Sequence, residues 1–233
     1  MELIKLKKTD LEISPIAFGA WAIGGWMWGG AQKNEALNAL KKSFDLGITT
    51  IDTAPVYGFG QSEEIIGEAF CDIRDKIQIL TKFGLNWHDK KGSFYFSTVH
   101  NNGAPVDIYF LASKERVIRE CEDSLKRLRT DYIDLLQIHW PDPVTPIDET
   151  MEALNILLDQ GKIRAAGVSN YNVSLLDAAS RITNIVSNQV PYSMLKRDIE
   201  KDLIPYCIKN SVDILAYSPL HRGILTGKFK PDH

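Results

Sequence analysis

Four side chains of the 233-residue chain, Asp52, Tyr57, Lys82 and His139, are of types that hold or move protons. Each stands at or just past the end of a short apolar run: TTID (49–52) with Tyr57 soon after it, IQILTK (77–82), and IDLLQIH (133–139). A tyrosine with an unperturbed pKa near ~10 is a poor acid or base at neutral pH. A neighbouring ammonium such as Lys82 favours the phenolate and is expected to pull that pKa down. Asp52 is expected to hold the lysine by an ion pair, and His139 to donate a hydrogen bond to a substrate oxygen. Together these make a tuned general acid with a donor on the oxyanion side. The plain alternative is an Asp–Lys ion pair in the mouth of the fold, with Tyr57 and His139 packed beside it.

Other chemistries find less support. The five histidines (His88, His100, His139, His221, His233) form no H-x-H or H-E-x-x-H pair, and Lys82 would repel a metal ion. Ser169 lacks a G-x-S-x-G elbow. Cys71, Cys121 and Cys207 are odd in number, far apart and without ligand spacing, so they are expected to be reduced and mostly structural. A net charge of −3, a pI of about 6.0 and dispersed Lys and Arg give no basic field for nucleic acid or anionic lipid. The N-terminal MELIKLKKTD has no apolar h-region, and no run nears the ~18 apolar residues of a membrane span. The expectation is a soluble, cytoplasmic protein acting on a small molecule.

The elements that must position these residues follow from periodicity. Residues 3–13 alternate around a Thr-Asp turn and predict a short hairpin. Apolar runs then recur at 16–18, 49–52, 77–82, 133–139, 163–170, 185–189 and 212–217, each too short for a helix and reading as a strand buried on both faces. Helical stretches alternate with them at 34–46 (N-cap Asn34, stop at Gly47), 62–70, 113–129 (cap Ser113), 148–160, 173–182 and 199–209. That alternation predicts a parallel sheet with helical crossovers. The first strand is followed by GAWAIGGWMWGG, which lacks the G-x-G-x-x-G of a doubly wound sheet, so a (β/α) barrel is favoured, as one domain over 1–233. Residues 84–110 break the rhythm and are expected to be a loop over the site or partly disordered.

In a barrel, strand ends converge on one face. The runs end in Asp52, Lys82, His139, Ser169-Asn170, Gln189 and Tyr217, so these are expected around one cavity. Trp26, Trp28 and Trp87 fit pocket lining and loop packing equally well.

The segments IDTAPVYG (51–58), ILTKFG (79–84), LQIHWPDP (136–143), IRAAGVSN (163–170), SNQVPYS (187–193) and ILAYSPL (214–220) resemble the aldo-keto reductase family in order and spacing, from residue 3 to about 229. SPLHRGILTGK (218–228) is similar to the bacterial stress-protein and potassium-channel β-subunit branch. The resemblance implies an eight-stranded (β/α)8 TIM barrel and NAD(P)H-dependent reduction of aldehydes or ketones. It makes Asp52, Tyr57, Lys82 and His139 the catalytic tetrad, with Tyr57 giving the proton. Ser169, Asn170 and Gln189 would hold the nicotinamide carboxamide, and Asp52 would also belong to the cofactor-binding set. Tyr217 would stack on the ring, Trp21 would lie near it, and Ser218, Leu220, Arg222 and Lys228 would cover the pyrophosphate. Ala20 stands where the family usually has Thr.

The chain departs from the family in that seven strands are read where the resemblance leads to an expectation of eight, so about seven strand–helix units are expected. The eighth unit and the loop that grips the adenosine phosphate have no counterpart, so NADP(H) is the family expectation and NAD(H) stays open. The first and seventh strands are expected to keep unpaired edges. Two other readings stand beside the reductase: a cofactor-bound regulatory subunit, and an inactive truncated relative. The carbonyl substrate and the oligomeric state are not legible.

Overall fold

A computed structural model describes residues 1–29 and 31–229. Strands β1 (Ile4–Lys5) and β2 (Glu12–Ile13) pair antiparallel as the expected N-terminal hairpin. Seven strands form the main sheet: β3 (Phe18–Gly19), β4 (Thr50–Asp52), β5 (Gln78–Phe83), β9 (Ile133–Ile138), β10 (Ile163–Ser169), β11 (Ile185–Pro191) and β12 (Asp213–Tyr217). All neighbours are parallel, and the spatial order is the chain order with no reversal. A doubly wound sheet reverses its order at a switch point, so its absence here agrees with a barrel-type winding.

Helices α1 (Lys33–Asp45), α2 (Gln61–Phe70), α3 (Lys114–Leu128), α4 (Ile147–Asp159), α5 (Val173–Ser180) and α6 (Leu203–Lys209) lie between the strands. Their apolar stripes explain how they dock. In α3 the buried Val117, Cys121, Ser124 and Leu128 recur every third or fourth residue, the spacing of one helical face. Helix ends differ slightly from the expected ones. Asn34 lies inside the first turn of α1 rather than capping it, and Ser113 sits at the cap of α3 without a side-chain bond. The stretch expected as one helix over 199–209 is a 3-10 turn (Asp198–Glu200) followed by α6, whose cap is Asp202.

Period-two alternation sorts each strand's side chains onto two faces. One face packs on the helices through residues such as Ile79, Leu136, Ala166 and Ile185. On the other, Leu80, Leu135, Ala165 and Val186 meet Leu6, Leu11 and Ile13 of the hairpin, which closes the N-terminal end of the sheet. Following this second face upward, Lys82, Gln137, Gly167 and Ser187 are register partners, and Ser169 and Gln189 pair above them. The pleat therefore delivers polar residues to the C-terminal end of the apolar face. Strand β12 departs from the expected full burial: its side chains are mostly half-buried, and β3 and β12 are the end strands of the sheet among the described residues.

The segment 84–110 is neither loop nor disorder. It folds into β6 (Leu85–Asn86), β7 (Ser93–Val99) and β8 (Pro105–Phe110), an antiparallel sheet in the order β6-β8-β7. Its signal is weak in sequence because most residues of β7 and β8 stay half-exposed, so no clean apolar face marks them. Cys121 and Cys207 are buried, and burial pushes their thiols up to about 12 and about 11, which suits inert structural cysteines. Cys71 is exposed and free. Among the described residues, no helix is long and apolar enough to cross a membrane, and no group of three or more His, Cys, Asp or Glu side chains is placed to hold a metal.

Candidate active site

Asp52 ends β4, Lys82 is the fifth residue of β5, and His139 follows β9 with its backbone N–H donating to Phe83 O at 2.9 Å. Tyr57 lies in the turn after β4, held by its N–H to Ala54 O at 3.0 Å. These local constraints bring the four side chains together. Lys82 Nζ donates to Asp52 Oδ1 at 2.8 Å, to Thr53 O at 2.9 Å and toward the Tyr57 hydroxyl at 3.4 Å. The His139 ring stands edge-on to the Tyr57 ring with centroids 5.8 Å apart, and the Trp21 indole stacks on Tyr57 at 5.5 Å and 14°.

A second set continues from the first. Gln189 Nε2 donates to Asp52 Oδ2 at 2.7 Å, and the Ser169 hydroxyl donates to Gln189 O at 2.9 Å. Asn170, in a left-handed conformation (φ 61°), donates from Nδ2 to His139 O at 3.0 Å and accepts from the Tyr217 hydroxyl at 2.9 Å. One hydrogen-bonded run thus joins Tyr57, Lys82, Asp52, Gln189, Ser169, Asn170 and Tyr217. Removing any member shifts the orientation of its neighbours.

Apart from the buried Lys82, these residues border a cavity of about 500 Å³ whose lining also includes His139, Trp21, Ser218 and Arg222. Leu220 is largely exposed, and neither it nor the exposed Lys228 borders the cavity. Trp26 does line it, whereas Trp28 is mostly exposed at the edge of Trp21, and Trp87 packs on Phe59. The apolar part of the cavity lining is not singled out in the sequence reading: Met27, Val56, Leu85, Tyr95, Phe96 and Trp140. Trp140 adjoins His139 and was within reach of a sequence argument. Tyr95 and Phe96 sit on the antiparallel insert and were not.

Electrostatics revise one expectation. Lys82 does draw the Tyr57 pKa down, but burial outweighs it, and the phenol ends above its ordinary 10.0. Burial likewise opposes charge on Lys82, yet Asp52 and Tyr57 more than offset this and hold the ammonium above 10.5. Burial first, and Lys82 second, depress His139 well below 6.5, so its imidazole is neutral at physiological pH. The site therefore offers a protonated phenol beside a neutral imidazole and a paired cation.

The His139 shift has a consequence for stability. Below pH 6.5 the unfolded chain binds a proton at His139 that the folded chain does not. Its contribution is thus complete above that pH and is lost as the pH falls. Urea midpoints taken from about pH 7.5 down to about 5.5 are expected to fall, less steeply in His139→Gln. Identical slopes in the two proteins would show that His139 titrates as an exposed histidine does.

Known proteins resemble this chain in sequence and fold. Residues 15–233 match the model of the aldo/keto reductase family. The chain is 41% identical over 235 residues to the aldo-keto reductase YhdN of Bacillus subtilis, matching all of this chain and 66% of that protein. It is 36% identical over 239 residues to the NADH-specific methylglyoxal reductase of Escherichia coli, again matching all of this chain and 72% of the relative. It superposes on an aldo/keto reductase of Klebsiella pneumoniae in complex with NADP and acetate with a TM-score of 0.77 and 32% identity, covering 96% of this chain and 71% of that one. The chain thus spans about two thirds of the length of the first of these relatives.

Proposed function

The chain belongs to the aldo/keto reductase family, and on that footing we propose that it reduces aldehyde or ketone carbonyls with a nicotinamide cofactor, the proton coming from Tyr57. The observation that carries this reading is the Tyr57 hydroxyl held 3.4 Å from the buried ammonium of Lys82 at the edge of the cavity, beside His139. NADP(H) is the proposed cofactor, in keeping with the NADP complex of the Klebsiella protein; the NADH-specific relative keeps NAD(H) within the proposal.

The residues present fit a flat ring bearing a primary amide. Tyr217 supplies an aromatic face fixed by its hydroxyl bond, and Gln189 Oε1 makes no hydrogen bond among the described residues, which leaves an acceptor for an amide N–H. Ser169 and Asn170 complete that wall, Asp52 orients Gln189, and Trp21 borders the ring position. Ser218 and Arg222 reach the cavity rim, where a guanidinium suits a pyrophosphate; Leu220 and Lys228 would join them in a covering segment. When bound, the cofactor supplies hydride to the carbonyl carbon.

The chain's own residues do the rest. The neutral His139 donates an N–H to the carbonyl oxygen and fixes where it sits. Tyr57 transfers its proton to that oxygen as negative charge develops there. The Lys82 ammonium stabilises the resulting phenolate, and Asp52 keeps Lys82 charged and aimed. Tyr95, Phe96 and Trp140 shield the reacting atoms from water. We also infer that the seven-stranded sheet is an incomplete (β/α)8 barrel and that residues 1–233 act as one domain.

A thermal titration tests cofactor binding directly. NADPH or NADH at about a hundred times its dissociation constant should stabilise the fold by about 2.7 kcal/mol, which raises the melting midpoint by roughly 5–10 °C. A folded chain whose midpoint moves with neither cofactor would sink the reductase reading.

A further inference from the structure

The tip of the β7–β8 hairpin ends on the two loops that carry Trp21 and Tyr57. There Asn101 Nδ2 lies 2.9 Å from Gly24 O, 2.6 Å from Gln61 Oε1 and 3.3 Å from Gly58 O. Two of the three atoms are backbone carbonyls, which only accept, so the NH₂ end of the amide must face them. Its two hydrogens serve Gly24 O and Gln61 Oε1, with Gly58 O sharing one.

The two loops meet where neither has room for a side chain. A Cβ on Gly58 would lie 1.9 Å from Gly24 O, and one on Gly24 would lie 2.5 Å from Tyr57 O. Gly58 also has φ +69°, which favours glycine. Tyr57 itself belongs to no strand, so its position depends on how these loops are held. The carbonyls around it are shared with the start of α2: Tyr57 O accepts from Ser62 N at 3.2 Å, and Gly58 O from Gln61 N at 3.3 Å. Asn101 is thus bonded to both loops and to the first residue of α2 at once. A second hairpin bond, from Trp26 Nε1 to Thr98 Oγ1 at 3.1 Å, holds an indole of the cavity wall that meets Phe59 and Trp21 by ring contacts; unlike the Asn101 bonds, it does not end on the Gly24 or Gly58 carbonyl.

Resting on the reading of Tyr57 as proton donor, we propose that Asn101 is a positioning residue that clamps the Gly24 and Gly58 loops and so sets the Tyr57 hydroxyl against Lys82. A proton donor displaced by a fraction of an ångström loses rate while binding is little changed, because alignment matters most at the transition state.

The test compares Asn101→Ala, Asn101→Asp and Thr98→Val by amide exchange and by kinetics. In Asn101→Ala the amides of Gln61 and Ser62 should exchange faster while those of β5 and β9 keep their rates, and kcat should fall about tenfold with KM within about twofold. Asn101→Asp keeps the size but replaces the donor with a carboxylate facing two carbonyls, so it should do at least as badly. Thr98→Val removes the bond to the Trp26 indole and leaves every Asn101 bond to the Gly24 and Gly58 loops in place, so it should raise KM while keeping kcat. Unchanged exchange at Gln61 and Ser62 in folded Asn101→Ala would overturn the clamp. An equal kcat loss in Thr98→Val would overturn it as well, since general loosening of the hairpin would then explain both. A wild-type chain without turnover counts against the proton-donor reading alone, and the exchange comparison still decides the clamp.

Discussion

Tyr57→Phe is expected to lose about 10²–10⁴-fold in the rate of carbonyl reduction while cofactor and substrate still bind, the range a positioned proton donor contributes. Phenylalanine keeps the ring that stacks on Trp21 and meets His139 edge-on, so the cavity keeps its shape. Only the hydroxyl 3.4 Å from Lys82 Nζ is removed. The pH dependence of the wild type gives the same assignment a second reading. In the proposed mechanism, reduction needs Tyr57 protonated and His139 neutral. The first holds until the pH passes a value above 10.0, and the second fails only well below 6.5. The rate of reduction should therefore be level between those limits and decline on the alkaline side. Turnover in Tyr57→Phe equal to that of the wild type would falsify the assignment. A break near pH 6.5 that disappears in His139→Gln would instead mean that the imidazole titrates in the working enzyme.

The second large effect is structural. Asp134 is fully buried on β9, with Oδ2 accepting from Arg74 Nη2 at 2.6 Å and from Ile79 N at 2.9 Å, and Oδ1 accepting from Arg164 Nη1 at 3.1 Å. The two guanidinium groups lie 4.0 and 3.9 Å from the centroid of the Tyr132 ring. One carboxylate thus ties β5 and β10 to β9 at the end of the sheet opposite the cavity. Asp134→Ala leaves the nearly buried Arg74 without its counter-charge and the Ile79 N–H without a partner. The expected cost is about 3–5 kcal/mol, a fall in melting midpoint on the order of 10 °C. Urea unfolding at constant m-value measures it, and a loss below about 1 kcal/mol would show that the cluster relaxes onto water. Asp134→Asn, which keeps an acceptor for Ile79 N, should lose less.

How far the sequence could be read differs from residue to residue. Lys82, His139, Ser169 and Gln189 lie at one end of one sheet, a position legible in the sequence because an apolar run with a polar terminus is a local signal. Tyr57 was legible only through its neighbourhood, IDTAPVYG, since it lies on a turn rather than a strand. Asp134 was hidden inside IDLLQIH, where a charge in an apolar run gives no hint that Arg74 and Arg164 reach it from either side. Tyr95, Phe96 and Asn101 were hidden for another reason: their hairpin stands on the sheet's rim, half in water, and carries no clean alternation.

The sequence by itself determined the order of strands and helices and the convergence of Asp52, Lys82, His139, Ser169 and Gln189. Those depend on periods of two and 3.6 residues, which are written along the chain. The tertiary structure alone decided that Tyr57 is raised rather than lowered in pKa, that a hairpin amide bonds to the loops around its turn, and that one buried carboxylate holds three strands. Each of these is set by distance and burial among residues remote in the chain, and neither quantity has a local signature.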